Sequence, residues 1–253
     1  MTQELSGRAA LVTGASSGLG AHFVEILAAA GAKVAACARR TDRLQALAAR
    51  VRAQGGVVEP IAMDVEDPHS IIEGFSAAER ALGPIDITIA NAGLNAQGAS
   101  TDLEASALAQ LVRVNIEGVY LTAREAAKRL IAGRHPERGR IILLGSVGSQ
   151  KPLAGLTAYS MSKAAVAMMG KGFAREWARY GVTVNTICPG WIATELNSDW
   201  LASEAGEKLV KTFPRRRVMA AEGLDGLILF LASDASASIT GGVFSADEGQ
   251  VLG

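Results

Sequence analysis

Cysteine is nearly missing from this chain. Only Cys37 and Cys188 occur among its 253 residues. They have no metal-ligand spacing, and each lies inside an apolar run, so both read as buried, reduced thiols. That excludes a disulfide scaffold and leads us to expect the reducing cytoplasm. Net charge is also missing, with 25 basic and 25 acidic residues, so nothing suggests a nucleic-acid or membrane-surface partner. No apolar run is long enough to span a bilayer. Residues 1–8 are polar and lack the apolar stretch of a secretory signal. The three histidines, His22, His69 and His135, are scattered and read as surface residues, and no metal site is expected. Aromatics are only 5% of the chain. What fills the interior is aliphatic: apolar residues reach 49%, and alanine and glycine abound, which suits close packing of helices on a sheet.

Short apolar runs alternate with longer amphipathic stretches. Residues 9–12, 33–38, 57–62, 85–90, 140–144, 182–187 and 242–245 read as strands. Residues 19–30, 42–53, 68–82, 103–132, 158–180 and 221–233 read as helices. The strands are apolar throughout rather than alternating, so both sheet faces are covered. The expected fold is α/β: a doubly wound, Rossmann-like parallel sheet of about seven strands in one domain. Residues 191–213 carry no strand signal and mix bulky apolar with polar side chains, as a lid or substrate wall would.

The first strand runs into Thr13-Gly14-Ala15-Ser16-Ser17-Gly18-Leu19-Gly20. Glycines at 14, 18 and 20 allow a tight turn and let backbone approach a pyrophosphate. The helix that opens at Gly18 aims free N–H groups and its positive dipole end at the same phosphate. At the end of strand two an acidic residue would hold the adenosine 2′-hydroxyl of NAD. Here Ala38 is followed by Arg39 and Arg40, and a guanidinium can clamp a 2′-phosphate. NADP(H) is therefore expected over NAD(H). Arg39 is the preferred contact; Arg40 is the second, with a plain surface role as its alternative. Asp64, after strand three, reads either as a contact to the adenine edge or as a helix cap.

Strand five ends at Ser146, and a later helix opens with Tyr159 and Lys163, four apart on one face. Reduction of a carbonyl by hydride needs a proton donor for the oxygen. A free phenol titrates near 10, and a nearby ammonium would favour phenolate. Tyr159 is thus the expected acid/base, with Lys163 beside it also reaching the nicotinamide ribose, and Ser146 holding the substrate oxygen.

Taken together, these residues resemble the short-chain dehydrogenase/reductase family, in its short form of about 250 residues. The likeness runs from the Gly-rich turn through Asn91-Ala92-Gly93, Asn115, Ser146, Tyr159 and Lys163 to Pro189-Gly190. It implies a ketone/alcohol oxidoreductase with Tyr159 as general acid/base, Ser146 orienting substrate, Lys163 lowering the tyrosine pKa, and Asn115 holding a relay water. It also implies cofactor contacts from Val65, Pro189, Gly190, Ile192 and Thr194, with Trp191 beside the nicotinamide, and a homotetramer or homodimer. Two departures stand out. Ala90 replaces the first Asn of the strand-four motif, and Asp247-Glu248-Gly249 replaces the usual Asp-Gly-Gly.

Within that reading the substrate is open. Gln150, Leu153, Leu156, Trp191, Leu196 and Trp200 are the expected pocket residues, mostly apolar with an indole wall, which favours an apolar or aromatic ketone over a sugar. A 3-oxoacyl-carrier reductase is one alternative, with the arginines at 215–217 as a weak candidate for meeting the carrier. A non-catalytic dinucleotide sensor is another, disfavoured because both Tyr159 and Lys163 are present. A nucleotide-sugar epimerase would need a larger C-terminal region.

Overall fold

The computed structural model describes residues 4–193 and 197–252. The chain alternates β1 (Ala9–Thr13), α1 (Gly18–Ala29), β2 (Lys33–Ala38), α2 (Thr41–Ala53), β3 (Val57–Ala62), α3 (Pro68–Leu82) and β4 (Ile87–Ala90). It continues with α4 (Ala105–Val112), α5 (Val119–Ala132), β5 (Arg140–Leu144), α6 (Thr157–Trp177) and β6 (Thr183–Pro189). Two short helices follow, α7 (Ser198–Leu201) and α8 (Glu204–Thr212), then α9 (Asp225–Ala232) and β7 (Val243–Ala246). All seven strands pair in parallel in the order β3-β2-β1-β4-β5-β6-β7. The expected doubly wound sheet is what forms. Among the described residues no helix is long and apolar enough to cross a membrane.

Strand pleating explains the two cores. On β1, Val12 faces Phe23 and Leu27 of α1 with Ile228 and Leu231 of α9, while its neighbour Leu11 faces Phe75 of α3 and Ala123 of α5. Every β1 residue is buried, as an interior parallel strand requires. Pro60 sits in β3, an edge strand, where the missing N–H leaves no internal partner unsatisfied.

Two expected helices differ in detail. The stretch 103–132 is not one α-helix: a π-helical turn, Arg113–Gly118, separates α4 from α5. The wider turn lets Gly118 lie so close to Val65 that a Cβ there would sit 2.9 Å from the Val65 carbonyl oxygen. Helix α6 ends at Trp177 in a short 3₁₀ turn, Ala178–Tyr180, closed by Gly181 at φ +82°.

The chain order places β1 between β2 and β4, so successive crossovers leave in opposite directions. A crevice opens at the carboxyl ends of the strands at such a point. The Gly-rich turn, Ser146 and the head of α6 all meet there.

Candidate active site

One cavity of about 550 Å³ occupies that crevice, within the size range of small-molecule sites. Its floor is the turn after β1. Gly14 (φ +68°) and Gly18 (φ +54°) adopt left-handed backbone. A Cβ on Gly20 would lie 2.3 Å from the Gly14 carbonyl oxygen, and one on Gly14 would lie 2.8 Å from Ala92 Cα. The glycines therefore let the turn pack on itself and on the loop after β4, as well as leaving its outer surface bare. Asn91 secures this contact by donating from Nδ2 to the Thr13 carbonyl at 2.9 Å. Thr13 Oγ1 accepts from the Asn91 and Ala92 N–H groups, each at 3.1 Å. Thr13 was not singled out in the sequence, although it opens the motif. The replacement at Ala90 leaves this bracing intact.

Helix α1 begins with no side-chain cap and no acidic residue in its first turn. Its leading N–H groups and Ser16, Ser17, Gly18 and Leu19 face the cavity, a donor set suited to a pyrophosphate. Arg40 is not a plain surface residue. Its guanidinium donates to Ser16 Oγ at 2.9 Å and Ser17 Oγ at 2.8 Å, which holds it over the turn. Arg39 lines the same end but is looser, 3.6 Å from Glu66 Oε1 and 3.9 Å from Asp64 Oδ2. Asp64 is not a helix cap. Asp67 caps α3 by accepting the His69 N–H at 2.9 Å, whereas Asp64 accepts the Glu66 N–H at 3.0 Å and lines the cavity beside Val65.

Ser146, Tyr159 and Lys163 meet at the other end of the cavity. The loop after β5 is shaped by a reciprocal pair: Ser146 Oγ accepts the Gly148 N–H at 3.0 Å, and Ser149 Oγ accepts the Ser146 N–H at 3.1 Å. Ser149 also donates to the Lys163 carbonyl at 2.8 Å, fastening this loop to α6. Burial pushes the Tyr159 phenol above its usual value, and the neighbouring Ser146 hydroxyl works against that rise. Lys163 Nζ lies 5.8 Å from the Tyr159 ring centroid and donates to the Leu144 carbonyl at 2.7 Å. Burial brings its ammonium down to about 8, because the charged form has lost water without gaining a carboxylate.

Asn115 lies in the π-helical turn and is wholly buried. Its side chain is engaged by protein groups. Oδ1 accepts the Leu94 N–H at 2.7 Å, and Nδ2 donates to the Leu94 carbonyl at 2.9 Å and Ser162 Oγ at 3.0 Å. Ser162 in turn donates to the Tyr159 carbonyl at 2.7 Å. The amide thus links the loop after β4 to the head of α6. Ser162, between the two expected catalytic residues, is another contributor the sequence reading passed over. Gly93 fits beside this group, with Lys163 Nζ and Asn115 Oδ1 each 3.5 Å from where its Cβ would stand.

Of the expected pocket residues, Leu153, Leu156 and Trp191 line the cavity. Gln150 does not; its amide exchanges hydrogen bonds with Ser245 Oγ on β7, at 2.9 and 3.2 Å. Trp200 stands behind the wall rather than in it, stacked on Trp191 at 5.3 Å between centroids. Leu196 and Thr194 lie outside the described residues. Pro189, Gly190 and Ile192 border the cavity, and Gln250 positions this strand end by accepting the Trp191 N–H on Oε1 at 2.7 Å. The departure at Glu248 has a partner as well. Arg217 grips it through two bonds of 2.6 and 2.7 Å, and Arg215 lies 3.4 Å away. Two arginines of the basic cluster, Arg215 and Arg217, are therefore engaged by the C-terminal segment.

A family model described as short chain dehydrogenase matches residues 8–205. Gluconate 5-dehydrogenase of Gluconobacter oxydans (strain 621H) is 34% identical over 246 residues, spanning 97% of this chain and 95% of its own. The 3-oxoacyl-[acyl-carrier-protein] reductase FabG of Escherichia coli (strain K12) is 31% identical, spanning 97% and 98%. Among solved structures, a gluconate 5-dehydrogenase from Burkholderia cenocepacia J2315 in complex with NADP and tartrate superposes with a TM-score of 0.93 at 32% identity, covering 99% of this chain and 98% of that one. The cavity with its glycine turn, the Ser146 and Tyr159 that line it, and these likenesses lead to one conclusion: the chain belongs to the short-chain dehydrogenase/reductase family and is a nicotinamide-dependent oxidoreductase working between alcohols and carbonyls.

Proposed function

We propose that this enzyme interconverts a ketone and a secondary alcohol with NADP(H) as its preferred cofactor and Tyr159 as the general acid/base. The observation that carries the reading is the convergence of Ser146, Tyr159 and Lys163 on one cavity that is also lined by the glycine turn at an uncapped helix start. A bound dinucleotide would supply the hydride. In the reducing direction Tyr159 gives its proton to the carbonyl oxygen, and Ser146 holds that oxygen next to the phenol. Burial keeps the phenol protonated at neutral pH, which suits a proton donor. Lys163 presents a cation behind the phenol, where it steadies the phenolate left by proton transfer. Asn115 acts as a positioning residue through Leu94 and Ser162.

The phosphates would rest on Ser16, Ser17, Gly18, Leu19 and Gly20, with Gly14 shaping the turn. Arg40 is the better placed guanidinium for a 2′-phosphate, since Ser16 and Ser17 already aim it at the turn, and Arg39 is the second. Asp64 and Val65 would meet the adenine, Asn91, Ala92 and Gly93 the adenosine side, and Pro189, Gly190 and Ile192 the nicotinamide. Residues 191–213 serve as the lid of a single domain. Two buried cysteines fit a cytoplasmic enzyme, and exposed Tyr120, Met161 and Met168 on α5 and α6 fit assembly into a homotetramer or homodimer.

Ketone-dependent oxidation of NADPH tests this reading. Tyr159→Phe should cut kcat by about 10²–10⁴-fold and leave NADPH affinity unchanged. Near-wild-type turnover by that variant would overturn the role of Tyr159, and a strong preference for NADH would overturn the cofactor assignment.

A further inference from the structure

We propose that the substrate of this site is a neutral ketone bearing an apolar, aromatic group, and that ketones carrying a free carboxylate or phosphate are disfavoured. The inference rests on the oxidoreductase reading above.

Charge is the first argument. Among the described residues lining the cavity, the cations are Arg39, Arg40 and Lys163. Arg40 is held on Ser16 and Ser17 at the dinucleotide end, and Arg39 faces Asp64 and Glu66 there. Lys163 is 5% exposed and bonded to the Leu144 carbonyl, on the side of Gly93 and Asn115. Of the arginines that follow the lid, Arg215 and Arg217 pair with Glu248, and none of the three lines the cavity. An anion entering beside Tyr159 would lose water without gaining a counter-charge, and that is a large penalty.

The wall is the second argument. Leu153, Leu156 and Trp191 face the space beside Ser146 and Tyr159. Trp191 is fixed at both ends: Gln250 holds its backbone N–H, and Trp200 backs its ring at an interplanar angle of 24°. A supported indole offers a flat apolar face against which an aryl group can stack without ordering a loose side chain. Gluconate, named for two of the similar proteins, is an acid, and this wall provides no counter-charge for it.

The test compares methyl 4-oxo-4-phenylbutanoate with its free acid, where two methylenes insulate the ketone from the charge, together with 5-ketogluconate. All three are measured as kcat/KM with NADPH. The ester should exceed the acid and the sugar acid by about tenfold or more. Equal or better turnover of either anion would overturn the proposal while leaving the oxidoreductase reading intact. Failure of all three, and of a panel of simple ketones with NADPH or NADH, would overturn both. Trp200→Ala should raise KM for the aryl ester several-fold more than for ethyl 4-oxopentanoate, and an equal rise for both would overturn the aromatic part.

Discussion

The two ends of the sheet bury positive charge with different numbers of acceptors around it. At the amino ends of the strands, Arg140 is 2% exposed yet makes four contacts: to the carbonyls of Ser233 (3.0 Å), Glu137 (2.8 Å) and Gly139 (3.1 Å), and to Asp234 (3.2 Å). Arg8 joins it on Asp234 at 2.8 Å, and Asp86 holds Arg138 at 3.1 Å and the Ala9 N–H at 3.2 Å. At the carboxyl ends, Lys163 is as deeply buried but meets one carbonyl and no carboxylate within salt-bridge distance among the described residues, and its ammonium falls to about 8. A charge surrounded by acceptors fastens strands together. A charge left short of them is costly to the fold and available to chemistry.

The sharpest way to break this contrast is Tyr159→Phe, which should remove about 10²–10⁴-fold of the rate and leave the thermal midpoint nearly unchanged. Arg140→Met should do the reverse. Leaving its carbonyl partners unsatisfied should cost about 3 kcal/mol of stability, read by denaturant titration, while kcat per folded molecule stays at the wild-type value. Loss of kcat in that variant would show that the two ends are coupled. A smaller effect is expected from Arg40→Ala: about a tenfold fall in kcat/KM with NADPH, or roughly 1.4 kcal/mol, and little change with NADH. The gentlest probe is pH. Because the Lys163 pKa is lowered, its cation is present below about pH 8 and lost above it, while Tyr159 stays protonated across that range. In the reducing direction, kcat/KM should therefore hold through neutral pH and fall to half near pH 8. A profile flat to pH 10 would remove Lys163 from the free-enzyme titration.

The fold was legible because its signals are local. Uninterrupted apolar strands, helical spacing between them and glycines after the first strand each depend on a few neighbouring residues, and together they demand a covered parallel sheet. The reading of 103–132 as one helix missed the π-helical turn because periodicity within a window does not register one extra residue per turn. What creates that turn's use is distant, namely the close approach of Gly118 to Val65. The partners of Gln150 and Trp200 were not legible either: Gln150 takes its direction from Ser245, far along the chain, and Trp200 from its stacking on Trp191. Asn115 was identified as a buried amide in need of partners, but only the packed structure names Leu94 and Ser162.

By itself, then, the sequence determined the sheet, the glycine turn after its first strand and the Ser146, Tyr159 and Lys163 group that lines the same cavity, since residue type and spacing carry those. The tertiary structure decided the electrostatics. It alone raises Tyr159 and lowers Lys163, turns Arg40 onto the glycine turn and joins Glu248 to Arg217. Desolvation and pairing depend on which groups surround a charge in space, and chain order does not specify those neighbours.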